Sequence, residues 1–116
     1  MKFGHIEILS RDPDKALQFY RDILGFEVTI VQNERFIWLK KDDVEILIRP
    51  GNPPEPPPRY EDAGTGLVLY TKNLEILLAE LVEKGLEIRG TVDSGDCYTF
   101  TDPDGNWFQL VDPIEH

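Results

Sequence analysis

One order of elements is written twice along this chain, and that repetition restricts the fold more than any other feature. The first copy opens with KFGHIEIL at 2–9, which reads as a strand. Asp12 then offers an N-cap and Pro13 a first helical position. Ala16, Leu17, Phe19, Tyr20, Ile23 and Leu24 fall at three- and four-residue spacing, predicting a helix over 13–24 that Gly25 closes. Strands are predicted at 26–31, 35–40 and 44–49, with turns at Gln32-Asn33-Glu34 and Lys41-Asp42-Asp43. The second copy has a strand at 66–71, Asn73 as N-cap, a helix at 74–84 and Gly85 as its end. Its later strands are predicted at 86–90, 97–101 and 107–111. Both halves read βαβββ, and both close on a strand ending in proline, Pro50 and Pro113. A duplication with a period near 60 residues follows.

The junction between the copies is PGNPPEPPPRYEDAGT, residues 50–65. Six of the nine residues at 50–58 are proline, which favours an extended, semi-rigid spacer and forbids a central strand. The expected organisation is one structural domain with modules at 1–49 and 66–116 and a linker at 50–65. A single βαβββ unit leaves sheet edges exposed. Pairing two of them gives the expected α+β fold: a curved half-barrel sheet, helices outside, and a concave ligand cup with clefts between modules.

Charge and composition narrow the function. The net charge of −10 argues against a nucleic-acid partner, which needs clustered Lys and Arg, and is compatible with cationic ligands. Apolar and charged residues interleave from Met1 onward, so no membrane span or signal segment is expected and the cytoplasm is the expected compartment. The single cysteine, Cys97, excludes an internal disulfide and reads as a small buried hydrophobe. The two histidines are His5 and His116.

The stretch FTDPDGNWFQLVDP at 100–113 poses the sharpest chemical question, because Gln109 lies inside an otherwise apolar strand. Asp102, Pro103, Gly105 and Asn106 before it are expected to build a turn and not to act as acids. The loop Ser94-Gly95-Asp96 is either a pocket rim or a hairpin tip.

HIEILSRDPDKALQFYRDILGFEV and FTDPDGNWFQLVDP resemble the opening and closing motifs of the vicinal oxygen chelate superfamily, which includes glyoxalase I, extradiol dioxygenases, fosfomycin resistance enzymes and bleomycin resistance proteins. The resemblance implies paired βαβββ modules, commonly in homodimers. In metal-using members the ligands come from the first and last strand of each module. The resemblance assigns those places here to His5, Ile46, Gly66 and Gln109. Ile46 and Gly66 cannot bind metal, and Gln109 stands where the metalloenzymes usually place glutamate. Glu7 shares the strand face of His5 and is the substitute donor, so a His5, Glu7 and Gln109 site for Fe, Ni, Mn or Zn is the alternative.

The expected function is therefore a dimeric, bleomycin-resistance-like protein that sequesters an organic ligand with no cofactor and no catalytic residue. Its expected contacts are His5, Glu7, Trp38, Ile46, Tyr98, Trp107 and Gln109, with Phe36 and Phe100 nearby. The competing expectation is a divalent-metal enzyme of the glyoxalase or dioxygenase kind. A fold-only domain is the third.

Overall fold

The computed structural model describes residues 1–93 and 97–114, so Ser94-Gly95-Asp96 and His116 lie outside the described residues. Two four-stranded sheets carry the α+β fold, each unclosed and each with one parallel pair. By packing the chain divides into two units, Met1–Pro54 and Glu55–His116, with the boundary inside the proline-rich segment.

In the first unit the strands are β1 (Ile6–Ser10), β2 (Glu27–Gln32), β3 (Phe36–Lys41) and β4 (Val44–Pro50), in the order β1-β4-β3-β2. Helix α1 (Pro13–Gln18) starts as expected: Asp12 accepts from the Lys15 N–H at 3.2 Å and Pro13 holds the first position. The helix predicted to 24 does not stay α-helical. Residues Phe19–Ile23 widen into a π turn, in which the Leu24 N–H reaches the Phe19 carbonyl. Gly25 then leaves the helix at φ +77°, a conformation that favours glycine. Asn33 and Glu34 both take positive φ, giving the β2–β3 turn the twist of a tight hairpin.

The core of this unit lies on one sheet face. Ile8, Ile37, Leu39, Ile46 and Ile48 are buried in a row-by-row match of register, and α1 packs on β3 and β4 over them. The opposite face carries Glu7, Leu9, Ile30, Trp38 and Arg49 and is far more open.

In the second unit the strands are β5 (Leu67–Tyr70), β6 (Gly90–Val92), β7 (Cys97–Thr101) and β8 (Trp107–Val111), in the order β5-β8-β7-β6, with helix α2 (Leu74–Glu83). Two expectations need correction. Asn73 occupies the N-cap, but its side chain makes no capping bond; its backbone N–H is held by the Thr71 hydroxyl. The strand predicted at 86–90 forms instead at 90–92. Leu86 turns back so that its N–H meets the Leu81 carbonyl, and its buried side chain closes the helix end instead of starting a strand. Gly85 at φ +109° makes that reversal, as Gly25 does in the first unit.

The turn before β8 is built as expected. The buried Asp102 carboxylate accepts from the Asp104 and Asn106 N–H groups, both at 2.9 Å, and from the Asn106 amide at 2.7 Å. No helix among the described residues is long and apolar enough to cross a membrane.

Candidate functional site

The two units present two different versions of one position. In the first, His5 sits one residue before β1, and its Nε2 donates to Glu7 Oε2 at 2.8 Å. The other Glu7 oxygen accepts from Arg49 at 2.9 Å, so the carboxylate bridges a ring and a guanidinium. The His5 bond, and then the Arg49 bond, hold the Glu7 carboxyl below its ordinary range. Trp38 belongs to the same cluster. Its ring meets the His5 ring edge-on at 4.5 Å, and its indole N–H donates to Gln32 Oε1 at 3.1 Å. Register explains the grouping, because Glu7, Leu47 and Trp38 pair across neighbouring strands and so share a face.

That register corrects one expected contact. Ile46 pairs with Ile6 and Leu39 on the buried, helix-covered face, so it cannot reach a ligand beside His5. The residue that matches Gln109 is Leu47. Glu7 pairs with Leu47 in the first unit as Val68 pairs with Gln109 in the second. The correction does not restore a metal donor, since leucine has none.

In the second unit the corresponding face is covered. Gln109 is 6% exposed and its Nε2 donates to the Tyr60 hydroxyl at 2.7 Å. Its Oε1 is buried with no hydrogen-bond partner among the described residues. An orphaned buried acceptor of this kind costs about 1–3 kcal/mol. Tyr60 stands where a side chain at position 66 would go: a Cβ on Gly66 would collide with the Tyr60 hydroxyl and ring. Trp107, on the same face as Gln109, is 5% exposed, donates its indole N–H to the Pro57 carbonyl at 2.9 Å, and meets the Tyr60 ring edge-on at 6.3 Å. Trp107 is thus bound to the chain's own proline-rich segment.

Tyr98 needs the second correction. It pairs with Leu110 and not with Gln109, which sends its ring to the helix side of the sheet, where its hydroxyl donates to Glu75 of α2 at 3.1 Å. Phe100 stacks on Phe108 on that same side and is core. Cys97 is buried, as its reading as a small hydrophobe requires.

Tyr60, Leu47 and Arg49 were not singled out by the sequence. Tyr60 is delivered by a segment that read as a plain spacer. Pro56 lies against Gly105, whose missing Cβ leaves room for it, and Pro57 binds Trp107. A short 3-10 turn at Tyr60–Asp62, tied by Arg59 to Asp62 at 3.0 Å, then aims the ring at Gly66. The one available signal was Gly66 itself, a residue without a side chain at a position where the duplication sets His5. Among the described residues, no three His, Cys, Asp or Glu side chains group as a metal ion would need.

Two open βαβββ units, the second repeating the element order of the first, define a class of two-module proteins. Residues 2–110 match the Glyoxalase/Bleomycin resistance protein/Dioxygenase superfamily, and the chain belongs to that superfamily. It is 29% identical over 114 residues to a catechol-2,3-dioxygenase of Bacillus subtilis (strain 168), covering 92% of this chain and 40% of that protein. The chain therefore spans well under half the length of this curated relative. Among solved structures it is similar to TnmS3, an antibiotic-binding protein from Streptomyces sp. CB03234, at 26% identity and TM-score 0.68 over 97% of this chain and 98% of that one. It shares its fold with the fosfomycin resistance protein FosX of Mesorhizobium loti, at 14% identity and TM-score 0.72 over 95% and 90% of the two chains. Enzymes and binding proteins both stand among these neighbours.

Proposed function

We propose that the chain is a small-molecule-binding protein that holds an aromatic organic ligand on the Trp38 face of its first unit, without a catalytic metal. The observation that carries the reading is the content of the four equivalent positions: His5, Leu47, Gly66 and Gln109 supply one imidazole, one alkyl group, no side chain and one amide. Divalent-metal sites are built from imidazole, carboxylate or thiolate, so this donor set does not fit one. What the face does offer is the Trp38 and His5 rings, with exposed Leu9 and Ile30 beside them and the Glu7–Arg49 pair at one end. Such a surface suits a flat ligand with a polar or charged edge. The likeness to an antibiotic-binding protein supports the same reading.

A divalent-metal enzyme is the second reading, favoured by one observation, the meeting of His5 Nε2 and Glu7 Oε2 beside an open face. Its weakness is that Glu7 already serves Arg49. Elemental analysis of protein purified without chelator separates the two. We expect far less than one metal per chain and no rise in melting temperature with Fe²⁺, Mn²⁺, Ni²⁺ or Zn²⁺ in millimolar excess. Flat aromatic ligands are expected to quench tryptophan fluorescence in the native protein and to lose binding in Trp38→Leu. Near-stoichiometric metal that disappears in His5→Ala would overturn the binding reading.

A further inference from the structure

We infer that Tyr60 is a self-ligand of the Gln109 amide, and that the Gly66 slot it fills is a binding subsite for a flat group carrying a hydrogen-bond donor and acceptor side by side, as a lactam or carboxamide edge does. The inference adds a subsite in the second unit, and it rests on the ligand-binding reading only for the premise that the chain takes up small organic molecules.

The chemistry of the amide carries it. A glutamine amide presents one acceptor and one donating NH₂ on a single edge. Tyr60 brings one oxygen to that edge. Its hydroxyl accepts from Nε2 at 2.7 Å and leaves Oε1 buried and, among the described residues, unpaired. Were the amide turned over, the hydroxyl would donate to the oxygen and the NH₂ would be left instead. One hydroxyl cannot serve both atoms of a side chain that is more than nine-tenths buried. A buried unpaired polar atom is destabilising, so the self-bound state is short of the best that this amide can make. A lactam edge pairs with both atoms at once.

The slot has the shape for such a group. It accepts an aromatic ring now, bounded by the backbone at Gly66, the edge of Trp107 and the Gln109 amide. Tyr60 is only half-buried, and among the described residues the sole side-chain hydrogen bond it makes is the one to Gln109. Turning its ring out therefore breaks that bond and one ring contact. The segment around it keeps its own anchors, because the Trp107–Pro57 bond, the Arg59–Asp62 pair and the Ala63 N–H bond to the Tyr60 carbonyl do not involve the Tyr60 ring. Tyr60 thus competes with any incoming ligand, and removing it raises apparent affinity by the inverse of the fraction of time the slot stands open.

The probe is 2-pyridone, a flat lactam of the size of the tyrosine ring, with N-methyl-2-pyridone as the control that lacks the donor. In a Trp38→Phe background Trp107 is the sole tryptophan and reports the slot. We expect Tyr60→Ala to bind 2-pyridone about ten-fold more tightly than the parent, with N-methyl-2-pyridone at least about ten-fold weaker, and Gln109→Met to erase that preference. A second measurement does not depend on Tyr60→Ala folding. In the intact protein, the side-chain amide signals of Gln109, assigned by their loss in Gln109→Met, should shift with 2-pyridone and move far less with the N-methyl compound at the same concentration. Equal response to the two probes, or shifts that persist at other amides while those of Gln109 do not move, would overturn the inference. Flat ligands that still quench Trp38 in that case would leave the ligand-binding reading standing.

Discussion

The face around His5 and the face around Gln109 occupy matching places in two copies of one βαβββ plan, yet they have opposite surroundings. In the first unit Glu7 holds His5 and Arg49, Trp38 stands half-open, and the neighbouring Leu9 and Ile30 are exposed. In the second every residue of β8 is buried, and a segment of the chain's own linker lies across Trp107 and Gln109. One pair of positions accounts for much of the difference. His5 fills its place with its own ring, whereas Gly66 leaves a gap that Tyr60 enters. A repeated module can thus leave a side-chain position empty and have the space filled by a residue from outside the repeat.

The strongest way to break the comparison is to truncate the two tryptophans. Trp107→Ala should cost about 3–5 kcal/mol, as a buried aromatic does, and should free the proline-rich segment. Trp38→Ala should cost less, about 1–3 kcal/mol, because its ring is only part-buried. Denaturant melts of the two variants check this, and equal losses would show that the first face is as packed as the second.

A smaller effect sharpens the same contrast. Tyr60→Phe leaves both polar atoms of the Gln109 amide without a partner, while Gln109→Met removes the amide. The double variant should recover about 1 kcal/mol relative to the sum of the single changes. A double-mutant cycle by urea unfolding measures it, and additivity would mean that the two side chains do not depend on each other.

The smallest effect belongs to the first face. The Glu7 carboxyl is held below its ordinary value of 4.5, so its bonds stabilise the native state above that value and are lost as pH falls through the lowered one. Glu7→Gln should therefore lower the melting temperature slightly near neutrality. The gap to the wild type should close in acid, and also in high salt, since the group is exposed. A gap that widens in acid would contradict the bridging role given to Glu7.

The repeat could be read from its punctuation, because caps, glycines and alternating strands are local signals. Asp12, Pro13, Gly25 and Gly85 mark boundaries that hold in the structure. Register is not local. The family resemblance assigns Ile46 to the place that matches Gln109, but the sheet puts Leu47 there, and a shift of one residue sends a side chain through to the other face. Tyr98 fell on the wrong side for the same reason: its face follows from its pairing with Leu110, which no alternation within CYTFT reveals. Tyr60 was hidden more deeply. Nothing in RYED distinguishes a solvated tyrosine from one that packs on a glycine six residues on, because that contact is decided only when β5 and β8 are in place.

The proline-rich segment is tied down at both ends within its own units. Arg11 binds the Pro53 carbonyl and the Gly51 N–H binds Ser10 on one side, while Pro56 seats on Gly105 and Pro57 on Trp107 on the other. Pro54 and Glu55 fall between these two sets of anchors. A gene broken between those two codons would hand each fragment a complete sheet together with the stretch of prolines that fastens to it, which makes this the natural place to split the protein into complementing halves or to graft one half onto a different partner.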